Sequence, residues 1–383
     1  MAGDRPRRVL QVIEAAEGGA ARHAIDLICG LDRERFEVDV VYSTRRCRGF
    51  VEALRDTGRP IGAIRGLPMA RGPSPPDDLR CLAALVRLMR RGRYDVVHCH
   101  STKAGLLGRV AARMAAVPRV VYTPHGWAFW DRSGAMRRAI ETMERGLARW
   151  TGTIVAVSHR EAELARKARI ESGATIVTLP NGVNADAIAA DVSHTDIDAW
   201  RLRLGVGADD ILIVGLGRLV PQKGFDKPIE AAPRIDPPPG GRVVIAIGGD
   251  GPLRDRLKRR IAEGNAGDRV VLLGHIERPR PLLAAADIVV MPSRWESCSY
   301  TLLEAAALGR PVVAFEGAQP RPMGLAVRQD DVAELAEALS ALIADPDRRE
   351  QLGDRARRHV RQHHRLDDMV LGIERIYTEG RTE

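Results

Sequence analysis

The feature that most restricts this chain is a repeated exchange between two periodicities. Short runs rich in β-branched residues, Arg8 to Glu14, Glu37 to Tyr42, Asp95 to His100, Arg119 to Thr123, Thr153 to Ser158 and Thr175 to Leu179, alternate with longer helical stretches such as Leu79 to Arg90 and Ala104 to Ala115. Strands that are continuous in apolar residues, with amphipathic helices between them, predict a parallel sheet covered on both faces. The same alternation resumes at Ile211 to Leu219 and continues through Arg242 to Gly248, Arg269 to Leu273, Ile288 to Met291 and Pro311 to Phe315. A single core stops growing near ~250 residues, so 383 residues, 45% of them hydrophobic, are expected to fill two cores. The fold class predicted is α/β, with two Rossmann-like, doubly wound parallel-sheet domains.

The turn signals of Leu179-Pro180-Asn181-Gly182-Val183 and the polar stretch that follows them place a boundary. The expected layout is a first domain over 1–182, a hinge over 183–206, a second domain over 207–365, and a C-terminal helix over 366–383. In that last segment Leu366 to Tyr377 is expected to cross back and brace the first domain.

Composition narrows the class of partner. No run approaches the ~18 consecutive apolar residues of a membrane-spanning helix, and Cys29, Cys47, Cys81, Cys99 and Cys298 are scattered without Cys-x-x-Cys spacing. Neither a disulfide framework nor a zinc ribbon is indicated, and the reducing cytoplasm is the expected compartment. A net charge of +9 asks for an anionic partner. With only 4% aromatics and basic residues spread along the chain, a base-stacking platform for nucleic acid is not supported. The preferred reading is peripheral docking on an anionic inner-membrane surface. Its candidate contacts are Arg87, Arg90, Arg91 and Arg93 in one helix and Arg132, Arg137, Arg138 and Arg145 near another, the latter beside Trp127, Phe129 and Trp130.

Ligands of doubly wound sheets bind at the carboxyl ends of the strands, so residues just after each strand carry the candidate chemistry. Gly18-Gly19 follows the first strand and opens a helix, where backbone N–H groups and the helix dipole suit an anion. Arg218, after Gly215-Leu216-Gly217, and Lys223, before Gly224, put a planar fork and a point charge on one loop, a combination that suits a diphosphate. Gly249-Asp250-Gly251-Pro252 is a third strand-to-helix turn. In Pro292 to Ala305, Glu296 lies on a loop and Glu304 inside the next helix, and two carboxylates at separate depths can each accept a pair of hydrogen bonds from vicinal hydroxyls. His98 and His100 share one strand face and read as satisfied core or rim histidines rather than metal ligands. His125, in Pro124-His125-Gly126-Trp127, reads as a site residue, and Trp127, Phe129 and Trp130 as core or as a platform for a sugar face or lipid.

In their order along the chain these motifs resemble the retaining GT-B glycosyltransferases of family 4, especially bacterial members that build exopolysaccharide or lipid-linked repeat units. The resemblance rests on Val12-Ile13-Glu14 with Gly18-Gly19, Asp95 to His100, His125-Gly126, Val157-Ser158, Pro180-Asn181-Gly182-Val183, Gly217-Arg218-Leu219 with Lys223-Gly224, Gly249 to Pro252, and the Glu296 and Glu304 pair. It implies transfer of a hexose from a nucleotide-sugar to a hydroxyl of a glycan or polyprenyl-linked acceptor, with retained configuration and without a metal or other cofactor. Arg218 and Lys223 would neutralise the donor diphosphate, Glu304 would bind the ribose, Glu296 would hold the transferred sugar, and Gly18, Gly19 and His125 would complete the site from the other domain. A nucleotide-sugar epimerase and a non-catalytic binding protein share the fold-level reading. Two segments depart from the family pattern: Ser297-Cys298-Ser299 replaces a Gly-rich turn, and Phe315 to Met323 is a shortened loop.

Overall fold

The computed structural model describes residues 5–47, 49–264, 266–318 and 321–379. By internal contacts the chain divides into two units, residues 1–182 with 366–383, and Val183–Arg365.

The first unit runs β1 (Arg7–Ile13), α1 (Gly18–Gly30), β2 (Phe36–Ser43), α2 (Phe50–Asp56), β3 (Ile64–Leu67), α3 (Pro75–Gly92), β4 (Val96–His100), α4 (Thr102–Met114), β5 (Arg119–Thr123), α5 (Gly134–Ala148), β6 (Thr153–Ala156), α6 (His159–Lys167) and β7 (Thr175–Thr178). The strands form one sheet in the order β3-β2-β1-β4-β5-β6-β7, and each described pair is parallel. The exchange of order at β1 and β4 is the topological switch point of a doubly wound sheet. Strand β3 was not foreseen from the sequence. Its four residues include Arg65 and Gly66 and are half-buried or exposed, so this edge strand carries no apolar run. Leu10, Val12, Val97, Cys99 and Tyr122 pack on one face against α3 and α4, while Val9, Ile13, Val38, Val40, Val96 and Val121 pack on the other against α1. Trp127 and Phe129 are also in this core, 1% and 0% exposed, with rings 5.3 Å apart and nearly parallel. They are therefore not a ligand platform: the indole N–H donates to the Glu161 carbonyl at 2.9 Å, satisfying the one polar group that their burial would strand.

The second unit runs α7 (Ala185–Ala190), α8 (His194–Arg203), β8 (Ile211–Leu216), α9 (Asp226–Ala231), β9 (Val243–Gly248), α10 (Arg254–Glu263), β10 (Val270–Gly274), α11 (Pro279–Ala285), β11 (Ile288–Met291), α12 (Tyr300–Ala307), β12 (Val312–Phe315), β13 (Leu325–Val327), α13 (Val332–Ala344) and α14 (Pro346–His363). Its sheet has the order β10-β9-β8-β11-β12-β13. Residues 183–206, expected to be a hinge, are part of this unit. Val183, Ala185 and Ile188 are buried in its core, and α8 packs on α11. Helix α7 is only six residues, too short to show a period, and is started by the Asn184 side chain accepting from the Ala187 N–H; Ser193 and Asp196 form a capping box for α8. Polar caps dominate this segment's composition, which is why it reads as a linker.

The last helix, α15 (Leu366–Glu379), belongs to the first unit. Met369, Val370, Ile373 and Tyr377 pack with Leu27 and Ile28 of α1, and Glu374 receives the Asp32 backbone N–H at 2.7 Å and Arg35 at 2.8 Å.

Candidate functional site

In the second unit the carboxyl end of the sheet is built from backbone packed on backbone. A Cβ on Gly249, where φ is +142°, would lie 1.8 Å from the Gly217 carbonyl oxygen; one on Gly224 would lie 2.1 Å from that of Pro292. Glycine is required there because the loops after β8, β9 and β11 touch. The β8 loop carries a 3-10 turn over Pro221–Lys223. It is joined to the β11 loop by Arg294 N–H donating to the Gln222 carbonyl at 2.8 Å and by the Gln222 amide donating to the Trp295 carbonyl at 3.0 Å. That joining brings Lys223 Nζ to 2.5 Å from Glu296 Oε1. Glu296 is 8% exposed, so the ion pair holds a largely desolvated carboxylate in place. Its backbone N–H donates to the Gly317 carbonyl at 3.0 Å, which ties the shortened loop after β12 to the same group; residues 319–320 of that loop lie outside the described residues. Ser299, from the segment that departs from the family pattern, is the N-cap of α12.

Glu304, on α12, pairs with Arg280 of α11 at 3.2 Å, and Arg280 pairs with Asp191 at 3.0 Å. Arg280 was not anticipated, since a lone arginine between two prolines gives no spacing signal. Arg218 is exposed after β8. Thus Lys223 and Glu296 are brought into contact, while Glu304 is held by a third element.

In the first unit Gly18, with φ +65°, opens α1, whose N-cap Glu17 makes no side-chain cap; Gly18 and Gly19 are exposed. Arg46 reaches this turn and pairs with Glu14 and Glu17, each at 3.0 Å. His125 has a left-handed backbone, φ +53°, uncommon for a residue with a Cβ. The turn is braced by Glu161, which is fully buried and accepts from the Gly126 and Val157 N–H groups at 2.5 and 2.7 Å. Ser158-x-x-Glu161 is a capping-box pattern, so this brace was readable as a helix start but not as support for His125.

Beside His125 lies a buried polar cluster that the sequence reading captured only in part. Gln11 and His98 are register partners on β1 and β4, and His98 and His100 follow on one face. His98 Nδ1 lies 2.6 Å from the Tyr377 hydroxyl and its Nε2 lies 2.8 Å from Thr123 Oγ1; His100 Nε2 lies 2.8 Å from Gln11 Oε1 and its Nδ1 lies 3.1 Å from His125 Nε2. His98 and His100 are thus satisfied core histidines. His23 Nδ1 lies 3.0 Å from Asn181 Oδ1, and its Nε2 is buried with no partner. Burial holds His98, His100 and His125 well below the usual imidazole range and brings His23 to about 4, so all four rings are neutral at pH 7. Ring nitrogens of His23, His100 and His125 lie within 4.8 Å of one another, close enough to hold a cation among the described residues. Gln11, His23, Asn181 and Tyr377 come from four separate elements, and nothing in their spacing joins them.

Residues 17–187 match the family model described as Glycosyltransferase Family 4, and residues 210–345 match that described as Glycosyl transferases group 1. A GDP-mannose-dependent monoacylated alpha-(1-6)-phosphatidylinositol monomannoside mannosyltransferase of Corynebacterium glutamicum is 30% identical over 294 residues, 72% of this chain and 74% of that enzyme. The chain belongs to the family 4 glycosyltransferases. It is also 33% identical, over 62% of its length and 61% of the relative's, to the UDP-Gal:alpha-D-GlcNAc-diphosphoundecaprenol alpha-1,3-galactosyltransferase of Escherichia coli. Crystalline HepE of Anabaena in complex with UDP-glucose aligns with a TM-score of 0.79 at 22% identity, covering 97% of this glycosyltransferase and 99% of HepE, which shows the GT-B fold.

Proposed function

We propose that this glycosyltransferase moves a hexose from a nucleotide-sugar to a hydroxyl of a glycan or lipid-linked glycan acceptor, with retained anomeric configuration and without a metal. The observation that carries the reading is the Lys223–Glu296 contact at the glycine-built carboxyl end of the second sheet. A cation and a carboxylate poised on touching loops match the needs of a donor whose diphosphate leaves as its sugar is held. Arg218 joins Lys223 in neutralising that diphosphate, Glu296 holds the sugar, and Glu304, oriented by Arg280, binds the ribose. Within the first unit, Gly18, Gly19 and His125 are the proposed ligand-binding residues. The named relatives support this donor and acceptor class, since one uses UDP-galactose with a diphosphoundecaprenol-linked sugar and another GDP-mannose with a phosphatidylinositol mannoside.

The acceptor class suggests a place of work at the inner face of the cell membrane, on the cytoplasmic side. No helix among the described residues is long and apolar enough to cross a bilayer. On α3 and α4, Leu79 and Met114 are 67% and 51% exposed beside Arg87, Arg90 and Arg91, an apolar surface rimmed by positive charge that suits anionic lipid.

The test of the donor reading is thermal stabilisation by a panel of UDP- and GDP-sugars with EDTA present. A nucleotide-sugar is expected to raise Tm in wild type and to do so far less in Lys223→Ala. Stabilisation that requires added magnesium would instead assign the diphosphate to a metal.

A further inference from the structure

The buried cluster of the first unit forms one hydrogen-bonded chain with a definite direction. The Gln11 NH2 donates to the Tyr377 hydroxyl at 2.9 Å, so the Gln11 carbonyl faces His100 Nε2 at 2.8 Å and that nitrogen must carry the proton. His100 Nδ1 is then a bare lone pair, and the His125 Nε2 facing it at 3.1 Å must be the donor. On the other branch, burial keeps the Tyr377 phenol protonated. Its O–H donates to His98 Nδ1 at 2.6 Å, and His98 Nε2–H donates to Thr123 at 2.8 Å. A neutral imidazole has one N–H and one lone pair, so a donor at Nε2 leaves His125 with its lone pair at Nδ1. The neighbouring His23 is held independently in the opposite tautomer, again with one bare nitrogen. Its Nδ1–H donates to Asn181 Oδ1 at 3.0 Å, which leaves the buried, unpartnered Nε2 as an acceptor. The two rings meet edge to face with centroids 4.7 Å apart.

We propose that Gln11 and His100 are positioning residues that lock His125 as its Nε2–H tautomer, so that His125 Nδ1 and His23 Nε2 are each left as an acceptor for a ligand hydroxyl. Hydroxyl donors are what a sugar carries, so the inference rests on the glycosyltransfer reading above for its ligand class, but not for the tautomer itself. An unpaired buried acceptor costs free energy until a donor reaches it, which is a reason for His23 to be filled by a ligand rather than by the fold.

The test compares two variants whose effects on stability and on tautomer run in opposite orders. Gln11→Met keeps the side-chain shape but removes the acceptor for His100; Gln11→Glu buries a charge but keeps an acceptor there. Histidine tautomers are read by long-range 1H–15N NMR of 15N-histidine-labelled full-length protein at pH 7, with the His125 signals assigned by their loss in His125→Asn. Wild type and Gln11→Glu are expected to show His125 protonated at Nε2 and bare at Nδ1, and Gln11→Met to show both tautomers. Turnover of Gln11→Met is expected to fall about 10-fold, the size of effect that one missing hydrogen bond produces, with Gln11→Glu retaining more activity despite its lower Tm. His125 protonated at Nδ1 in wild type, or a His125 tautomer unmoved in folded Gln11→Met, would overturn the proposal. So would a wild-type spectrum that changes when the protein is stripped with a chelator, since that would give the three ring nitrogens to a metal. The tautomer readout needs no turnover, so the positioning claim can fail or stand apart from the proposed reaction.

Discussion

Lys223 and Glu296 form an ion pair at 2.5 Å, and the proposed donor reading requires that pair to open. Lys223→Ala and Glu304→Ala are each expected to cut turnover by about 100-fold or more, with circular dichroism near wild type because neither side chain is in a core; near-normal turnover in both would remove them from the donor site. The histidines give a second prediction. Burial lowers His23 from its usual 6.5 to about 4, and His98, His100 and His125 are lowered too. The unfolded chain therefore binds more protons than the folded one between these values, so stability is full above pH 6.5 and is lost as pH falls toward 4. Urea unfolding at pH 7 and pH 5 should show the loss, and His23→Gln should shrink it; equal stability at both pH values would mean that the rings are not held neutral. At this scale the sequence was partly legible. Residues beside glycines at strand ends, such as Lys223 and His125, announced themselves, whereas Arg280, Glu161 and Gln11 act through partners brought near only by folding.

Helix α15 shows how an element far along the chain can complete a core. Ile373 and Tyr377 are fully buried against α1 and the first sheet, while Leu371 on the same helix is 49% exposed. Ile373→Ala should cost about 2–5 kcal/mol through lost transfer energy and a cavity, and Leu371→Ala should stay within about 0.5 kcal/mol. Chemical denaturation of the two variants checks this, and equal effects would mean that the helix is not docked on this face. Periodicity served well where an element was long or fully covered: the covered strands of both sheets and α3, α4 and α15 carry it. It failed for β3, half-exposed and four residues long, and for α7 and α8, whose polar caps and lack of an apolar stripe gave the segment the look of a linker.

For the whole molecule, the net charge of +9 and the arginines around Leu79 and Met114 predict reversible docking on anionic vesicles. At about 1 kcal/mol per basic residue near such a surface, several are needed and salt should release the protein. Liposome sedimentation decides: equal pelleting with neutral and anionic vesicles, or binding that survives high salt, contradicts electrostatic docking. The burial of Trp127 and Phe129 leaves this surface to α3 and α4 and to Met136, 61% exposed beside Arg137 and Arg138. The central claim is hexose transfer with retention, and its most direct test is product analysis. Purified protein is incubated with EDTA, one of UDP-glucose, UDP-galactose or GDP-mannose, and a sugar-diphosphopolyprenol acceptor, and the product is examined by mass spectrometry and by NMR of the new anomeric centre. The expected result is an acceptor one hexose heavier, formed only with acceptor present and carrying the donor's α configuration. A β linkage, or a donor sugar altered in the absence of acceptor with none transferred in its presence, would contradict the account.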